Sequence, residues 1–311
     1  MTCPIPSPVL PHVRNLVYPT DFSESSLAAI PYIHLIAGWY GAAVHVVHVV
    51  SPEPALELPL DFPPELDGDR NAALAEIKSL LAAKPFGNVT TSVTVERGSL
   101  WGVLTPLMEE KGADFVVLGT RGRGGLGKVV LGSFAEQIYR QCRLPVVTVG
   151  PHCTEHLPLR GQMRNVLLAT DFSLSAERAL AWAASLCRFG DARLTLLHVV
   201  SPGVAMVPSS SVYGALTEYG DELIARSEEE ARSKLSWLQA DPVLSGIATE
   251  SKVEVGGAAD VILATAAACG ADMIVMGARH SEEARLASHL PWTTASCVVR
   301  SAHCPVLTVR S

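Results

Sequence analysis

Apolar residues along this chain alternate between short continuous runs and longer stretches where they recur every three or four positions. Leu16–Pro19 is such a run, and Ala43–Val49 is continuous and β-branched, as a strand buried on both faces is. Between them, Leu27, Ile30, Ile33, His34 and Ala37 recur at helical spacing and predict a helix over Ser25–Trp39. Ser23 and Asp21 are both N-cap types, and Glu24 suits the positive end of that helix. Pro31 predicts a kink in it and Gly41 its end. After a Pro-rich loop over Ser51–Asp67, the pattern predicts a helix over Asn71–Ala83 and an alternating strand over Val89–Glu96. A helix over Leu100–Lys111, a strand over Phe115–Gly119, a helix over Phe134–Cys142 and a strand over Pro145–Val149 follow.

The second half repeats this order. Arg14–Ser23 returns as Arg164–Ser173, and His48-Val49-Val50-Ser51-Pro52 returns as His198-Val199-Val200-Ser201-Pro202, both at an offset of 150 residues. A period of that length is a whole domain, not a solenoid unit. The predicted elements are Asn165–Ala169, Ala176–Phe189, Arg193–Val199, Leu216–Trp237, Thr249–Val255, Ala258–Cys269, Met273–Gly277, Thr294–Arg300 and Pro305–Val309. By Asp114 and Asp272 the offset has grown to 158 and by Pro145 and Pro305 to 160, so the second copy carries about ten more residues. Strand–helix alternation of this kind implies parallel strands joined by right-handed crossovers, with helices on both faces. The chain is read as two α/β domains over residues 10–150 and 163–311, joined by the polar linker Gly150–Met163.

Composition narrows the function classes. The 311 residues suffice for two full cores. The net charge of −7 argues against a broad nucleic-acid surface. No apolar stretch is long enough to span a bilayer, and the N-terminal Met1–Pro6 lacks the charge pattern of a signal peptide. Seven cysteines, an odd count without paired spacing, fit reduced thiols and a cytoplasmic setting.

The chemistry is concentrated in one loop. In a doubly wound sheet, ligands sit beyond the carboxyl ends of the strands where the winding reverses. The loop after the fourth strand runs Gly119-Thr120-Arg121-Gly122-Arg123-Gly124-Gly125-Leu126-Gly127-Lys128 and ends at Gly132-Ser133, where a helix starts. Its glycines let backbone N–H groups approach a ligand, the helix start favours anions, and Arg121, Arg123 and Lys128 add positive charge. These parts make a polyphosphate cradle without the Gly-Lys-Ser/Thr triplet of a Walker A loop.

Gly119, Gly122 and, after nine residues, Gly132-Ser133 resemble the G-2x-G-9x-G-[S/T] motif of universal stress proteins. Tyr18-Pro19-Thr20-Asp21-Phe22-Ser23, Val47-His48-Val49, Asp114–Gly122 and Leu144–Val149 are similar to that family as well. The resemblance covers nearly the whole chain as tandem domains. It implies two doubly wound, Rossmann-type parallel sheets of five strands in the order 3-2-1-4-5, of the adenine nucleotide alpha hydrolase-like class. It further implies ATP as ligand, with ADP or AMP as alternatives and Mg accompanying ATP. Pro19, Thr20 and Asp21 would border the adenine and ribose, and the backbone at Val49 would meet the adenine edge. Leu118 and Gly119 would line the pocket. Gly122, Gly132, Ser133 and Phe134 would hold ribose and phosphates, with Arg121 and Arg123 beside them. For Asp21 alone, helix capping is the plainer role.

The second copy departs from the motif. It keeps Thr170, Asp171, Val199, Met276 and Gly277, but His280 stands where Gly122 does, and Ser281–Arg285 brings Glu282 and Glu283 without a glycine. Pro291-Trp292-Thr293 replaces Leu131-Gly132-Ser133. A site degenerate toward triphosphate is expected there.

Other constellations carry less. His45, His48 and His198 read as core or strand-end histidines, and His152, Cys153 and His156 lack a fourth metal partner. No metal site and no catalytic residue is expected, because no nucleophile–base pair accompanies the loop. The leading reading is an ATP-binding regulator or interaction module of the stress response, with ATP held by the first domain and at most slow hydrolysis. The alternatives are a nucleotide-hydrolysing enzyme on the same fold and a nucleotide-free interaction protein. The final strands, Val146–Val149 and Val306–Val309, are apolar edges expected to pair the two domains within the chain. A homodimer and an unidentified protein partner are expected beyond that.

Overall fold

The computed structural model describes residues 10–50, 68–83, 89–120, 133–150, 152–153, 162–202, 213–278 and 294–310. The chain divides into two compact units, His12–Thr154 and Glu155–Ser311 with Met1–Pro11. Each unit is a parallel sheet wound in both directions from its first strand.

In the first unit the strands are β1 (Asn15–Pro19), β2 (Ala43–Val50), β3 (Thr91–Arg97), β4 (Phe115–Gly119) and β5 (Val146–Val149). Their spatial order is β3-β2-β1-β4-β5. The helices are α1 (Glu24–Ala28), α2 (Ile30–Tyr40), α3 (Gly68–Ala83), α4 (Leu100–Lys111) and α5 (Ser133–Gln141). Central strands are mostly apolar because both faces are covered: Leu16, Val17, Val44, Val46, Val47, Phe115 and Val117 have no exposed surface. β3 pairs with β2 at the end of the order and ends in the exposed Glu96 and Arg97, which keep the edge polar.

The second unit repeats the order as β8-β7-β6-β9-β10. These strands are β6 (Asn165–Ala169), β7 (Arg193–Val200), β8 (Thr249–Val255), β9 (Met273–Ala278) and β10 (Val306–Arg310). Its helices are α6 (Leu174–Gly190), α7 (Tyr213–Gln239), α8 (Ala258–Ala268) and α9 (Thr294–Ser301). Buried Ala231 and Leu235 seat α7, and most of its described residues from Asp221 to Glu230 are exposed.

The two copies differ most in the first helix. The single kinked helix expected over Ser25–Trp39 is two helices, with Ala29 between them. Pro31 falls in the first turn of α2, where a missing N–H loses no intrahelical bond, and the helical ladder is interrupted just before it, at Ala29. Ala181 stands at the corresponding place in the second copy, and α6 runs unbroken for 17 residues. Gly41 closes α2 in the left-handed region, at φ 66°, whereas Asp191 closes α6 at φ 51°.

The end of each sheet at which the strands begin is tied by one carboxylate. Asp114 Oδ2 accepts from the Arg14 N–H at 2.9 Å and its Oδ1 from the Asn15 N–H at 3.3 Å. Asp272 Oδ2 does the same for Arg164 at 2.6 Å and Asn165 at 2.9 Å. The repeated aspartate thus satisfies backbone donors at the start of β1 and β6.

Candidate functional site

β1 lies between β2 and β4, with Val17 beside Val116 and Pro19 beside Val47. The turn that leaves β1 and the loop that leaves β4 therefore start side by side, where the winding direction reverses. The Thr20 N–H extends the ladder to the Val47 carbonyl at 2.8 Å, and the Thr120 N–H does so to Val149 at 3.0 Å. Pro19, Thr20, Val49 and Leu118 are buried around this edge, while Asp21 and Gly119 are partly exposed. The structure thus brings these six predicted residues to one end of the sheet.

The turn is built from local hydrogen bonds. Thr20 Oγ1 accepts from the Phe22 N–H at 3.2 Å, and Asp21 Oδ1 accepts from the Ser23 N–H at 3.0 Å. Ser23 Oγ then accepts from the Ser26 N–H at 3.2 Å and caps α1. Asp21 is therefore not the cap; it shapes the turn with one oxygen, and its Oδ2 has no partner among the described residues. Phe22 holds a left-handed backbone at φ 59°, uncommon for a bulky residue.

Two further contacts fix Thr20. His48 Nδ1 lies 2.8 Å from the Thr20 carbonyl, so this nitrogen carries the proton and donates. The imidazole also lies against the Phe22 ring, with centroids 4.5 Å apart. On the other side, Ser26 Oγ donates to Thr20 Oγ1 at 2.9 Å, and the Tyr18 phenol donates to the Ser26 carbonyl at 2.8 Å. Tyr18 is fully buried, and that burial raises its pKa above the ordinary phenol value. His48, read from sequence as a strand-end histidine, is thus part of the turn. Its return at the same offset as the turn itself, as His198, was the available signal. Tyr18 and Ser26 gave none, because their meeting is through space.

Arg121, Gly122, Arg123, Lys128 and Gly132 lie outside the described residues. Ser133 and Phe134 open α5, and only their backbone is described. In the linker, Cys153 is buried, its sulfur accepts from the Gly150 N–H at 3.2 Å, and burial pushes its thiol up to about 12.

The second copy reproduces the turn. Thr170 Oγ1 accepts from the Phe172 N–H at 3.0 Å, Asp171 Oδ1 from the Ser173 N–H at 3.1 Å, and His198 Nδ1 donates to the Thr170 carbonyl at 2.8 Å. Around it the surroundings differ. Leu168 and Ala176 take the places of Tyr18 and Ser26, and Lys234 Nζ lies 5.3 Å from the centre of the Phe172 ring. Gly277 has a packing reason of its own: a Cβ there would sit 2.7 Å from the Ala176 nitrogen and 2.8 Å from the Ser175 carbonyl carbon. His280, Glu282, Glu283 and Trp292 lie outside the described residues.

Comparison with known proteins decides the family. The model of the universal stress protein family matches residues 12–150 and again 163–310. The chain belongs to the universal stress protein family. A universal stress protein of Methanocaldococcus jannaschii is 32% identical over 145 residues, which cover 44% of this chain and 81% of that protein. Universal stress protein E of Escherichia coli K12 is 34% identical over 113 residues, 34% of this chain and only 35% of that protein. Among solved structures, a universal stress protein of Archaeoglobus fulgidus aligns over 96% of this chain and 97% of its own, with a TM-score of 0.64 at 20% identity. That likeness extends the shared α/β fold across both halves.

Proposed function

We propose that the first domain of this universal stress protein holds one adenine nucleotide, ATP foremost, at the carboxyl ends of β1 and β4. The observation that carries this reading is the adjacency of those strands, from which the Thr20–Asp21 turn and the Gly119 loop leave together. Asp21 offers a carboxylate oxygen to a sugar hydroxyl or an amino group. The glycine-rich segment that follows, with Arg121 and Arg123, supplies backbone donors and positive charge for phosphates. The second domain shares the turn but has Glu282, Glu283 and Trp292 in the corresponding segment, which disfavour a triphosphate by charge and bulk.

Among the described residues of this constellation none is placed to activate water, and in this reading the nucleotide acts as a ligand that biases a conformational or partner equilibrium. The odd number of cysteines fits work in a reducing compartment such as the cytoplasm. Calorimetric titration of the full chain with ATP is the test. One site is expected. Gly132→Trp, which copies Trp292, should abolish it, whereas Trp292→Gly should not create a second. Two equivalent ATP sites, or steady-state turnover far above slow background, would overturn this function.

A further inference from the structure

The two copies of the turn are held by different means. In the second copy the turn feeds α6, a continuous helix of 17 residues whose first turn seats against β9 at Gly277. In the first copy it feeds α1, which ends after five residues at Ala28. Only Ala29 separates α1 from α2, and the five residues of α1 make few intrahelical bonds of their own. Beside the packing of α1 on β4, the first copy has a buried cluster of three hydroxyls. Tyr18 on β1 is fully buried, Thr20 in the turn is 1% exposed and Ser26 on α1 is 3% exposed. The phenol donates to the Ser26 carbonyl at 2.8 Å and lies 3.1 Å from Ser26 Oγ, which donates to Thr20 Oγ1 at 2.9 Å. Strand, turn and helix are thereby bonded to one another where water does not compete. Leu168 and Ala176 offer no such bonds in the second copy.

We infer that Tyr18 and Ser26 are positioning residues of the first domain's nucleotide site, setting Thr20 and the adjoining Asp21 through this hydroxyl cluster. The inference rests on the nucleotide-binding reading of that domain. Neither side chain needs to touch the ligand. Thr20 is gripped at both polar groups, its carbonyl by His48 and its hydroxyl by Ser26, so Asp21 has little freedom in where it presents its second oxygen. Preorganisation of this kind removes an ordering cost that the ligand would otherwise meet on binding.

The experiment titrates adenosine and ATP separately into the full chain and into its Tyr18→Phe and Ser26→Ala variants, with thermal melting of each. Both variants should weaken adenosine and ATP by the same factor, roughly five- to tenfold, the scale of one neutral hydrogen bond. The factor is shared because the cluster acts on the turn and not on the phosphate loop. A lowered melting temperature with unchanged affinity for both ligands would mark the cluster as structural only and overturn the inference. A loss confined to ATP would overturn it too, by moving the effect to the phosphate side. If Tyr18→Phe does not fold, Ser26→Ala, which copies Ala176, carries the test. Failure of the unaltered chain to take up either ligand would instead remove the nucleotide reading itself.

Discussion

Phe22 and Phe172, 150 positions apart in sequence, hold the same left-handed backbone, at φ 59° and 60°. Each ring lies 4.5 Å from a histidine, His48 or His198, and each histidine donates to the carbonyl two residues before its phenylalanine at 2.8 Å. An L residue in this conformation costs on the order of 1 kcal/mol, so the turn persists because its surroundings over-determine it. His48→Phe keeps a ring for stacking and removes the donor. It should destabilise the first domain by about 1–2 kcal/mol, and His198→Phe should do the same to the second. Urea unfolding of each variant checks this; unchanged midpoints would mean that the carbonyl bond is incidental.

Gly277 looks like a surviving piece of a ligand motif, yet its clearance assigns it to packing. A Cβ would lie 2.7 Å from the Ala176 backbone nitrogen, closer than real contacts allow, so α6 or β9 must shift. Gly277→Ala should cost roughly 1–3 kcal/mol in the second domain, the usual penalty for overpacking. The ATP binding proposed for the first domain should be unchanged. Denaturant unfolding followed alongside ATP titration separates the two effects, and a stable variant would refute the packing role.

Asp191 ends α6 in the left-handed region, at φ 51°, where the first copy has Gly41 at φ 66°. It also places a carboxylate at the negative end of the helix dipole. Asp191→Gly should therefore stabilise the second domain by about 0.5–1 kcal/mol. Chemical denaturation should show the midpoint rising; a fall would mean that the aspartate makes a compensating contact.

The strands were legible because burial on both faces leaves a mostly apolar, β-branched run, as in Val44, Val46 and Val47 around His45. The Thr-Asp-Phe-Ser turn was legible because it occurs twice, each time directly after the first strand of a copy. The break at Ala29 was not, since a proline can bend a helix or open a new one, and the choice depends on what packs beneath it. Nor was the cap: Asp21 and Ser23 are both capping types, and only geometry shows Ser23 in that role. The Tyr18–Ser26–Thr20 cluster joins residues from three elements with no shared period, so no sequence pattern announces it.

His45 places a titratable ring in the first domain where the second copy has Thr195. It is nearly buried, with Nε2 3.1 Å from Asn15 Oδ1 and Nδ1 2.6 Å from Ser92 Oγ. The Asn15 amide nitrogen faces the Gly112 carbonyl, so Oδ1 is turned to the ring, Nε2 carries the proton and Nδ1 accepts from the serine. Burial, and then the positive charge of Lys111, hold the His45 pKa below the ordinary value. Below about pH 6.5 the unfolded chain takes up a proton at this histidine that the folded domain refuses, so the unfolded state binds more protons. Stability from this group is complete above about pH 6.5 and is lost as pH falls toward the depressed folded pKa. In the second copy Thr195 and Glu250 occupy these cross-strand positions, with Thr195 Oγ1 donating to Glu250 Oε1 at 2.9 Å. His45→Thr should therefore flatten the decline of the first domain's urea midpoint between pH 7.5 and about pH 5, relative to the unaltered chain. Parallel curves for the two proteins would show that His45 titrates alike in the folded and unfolded states, and the burial argument would fail.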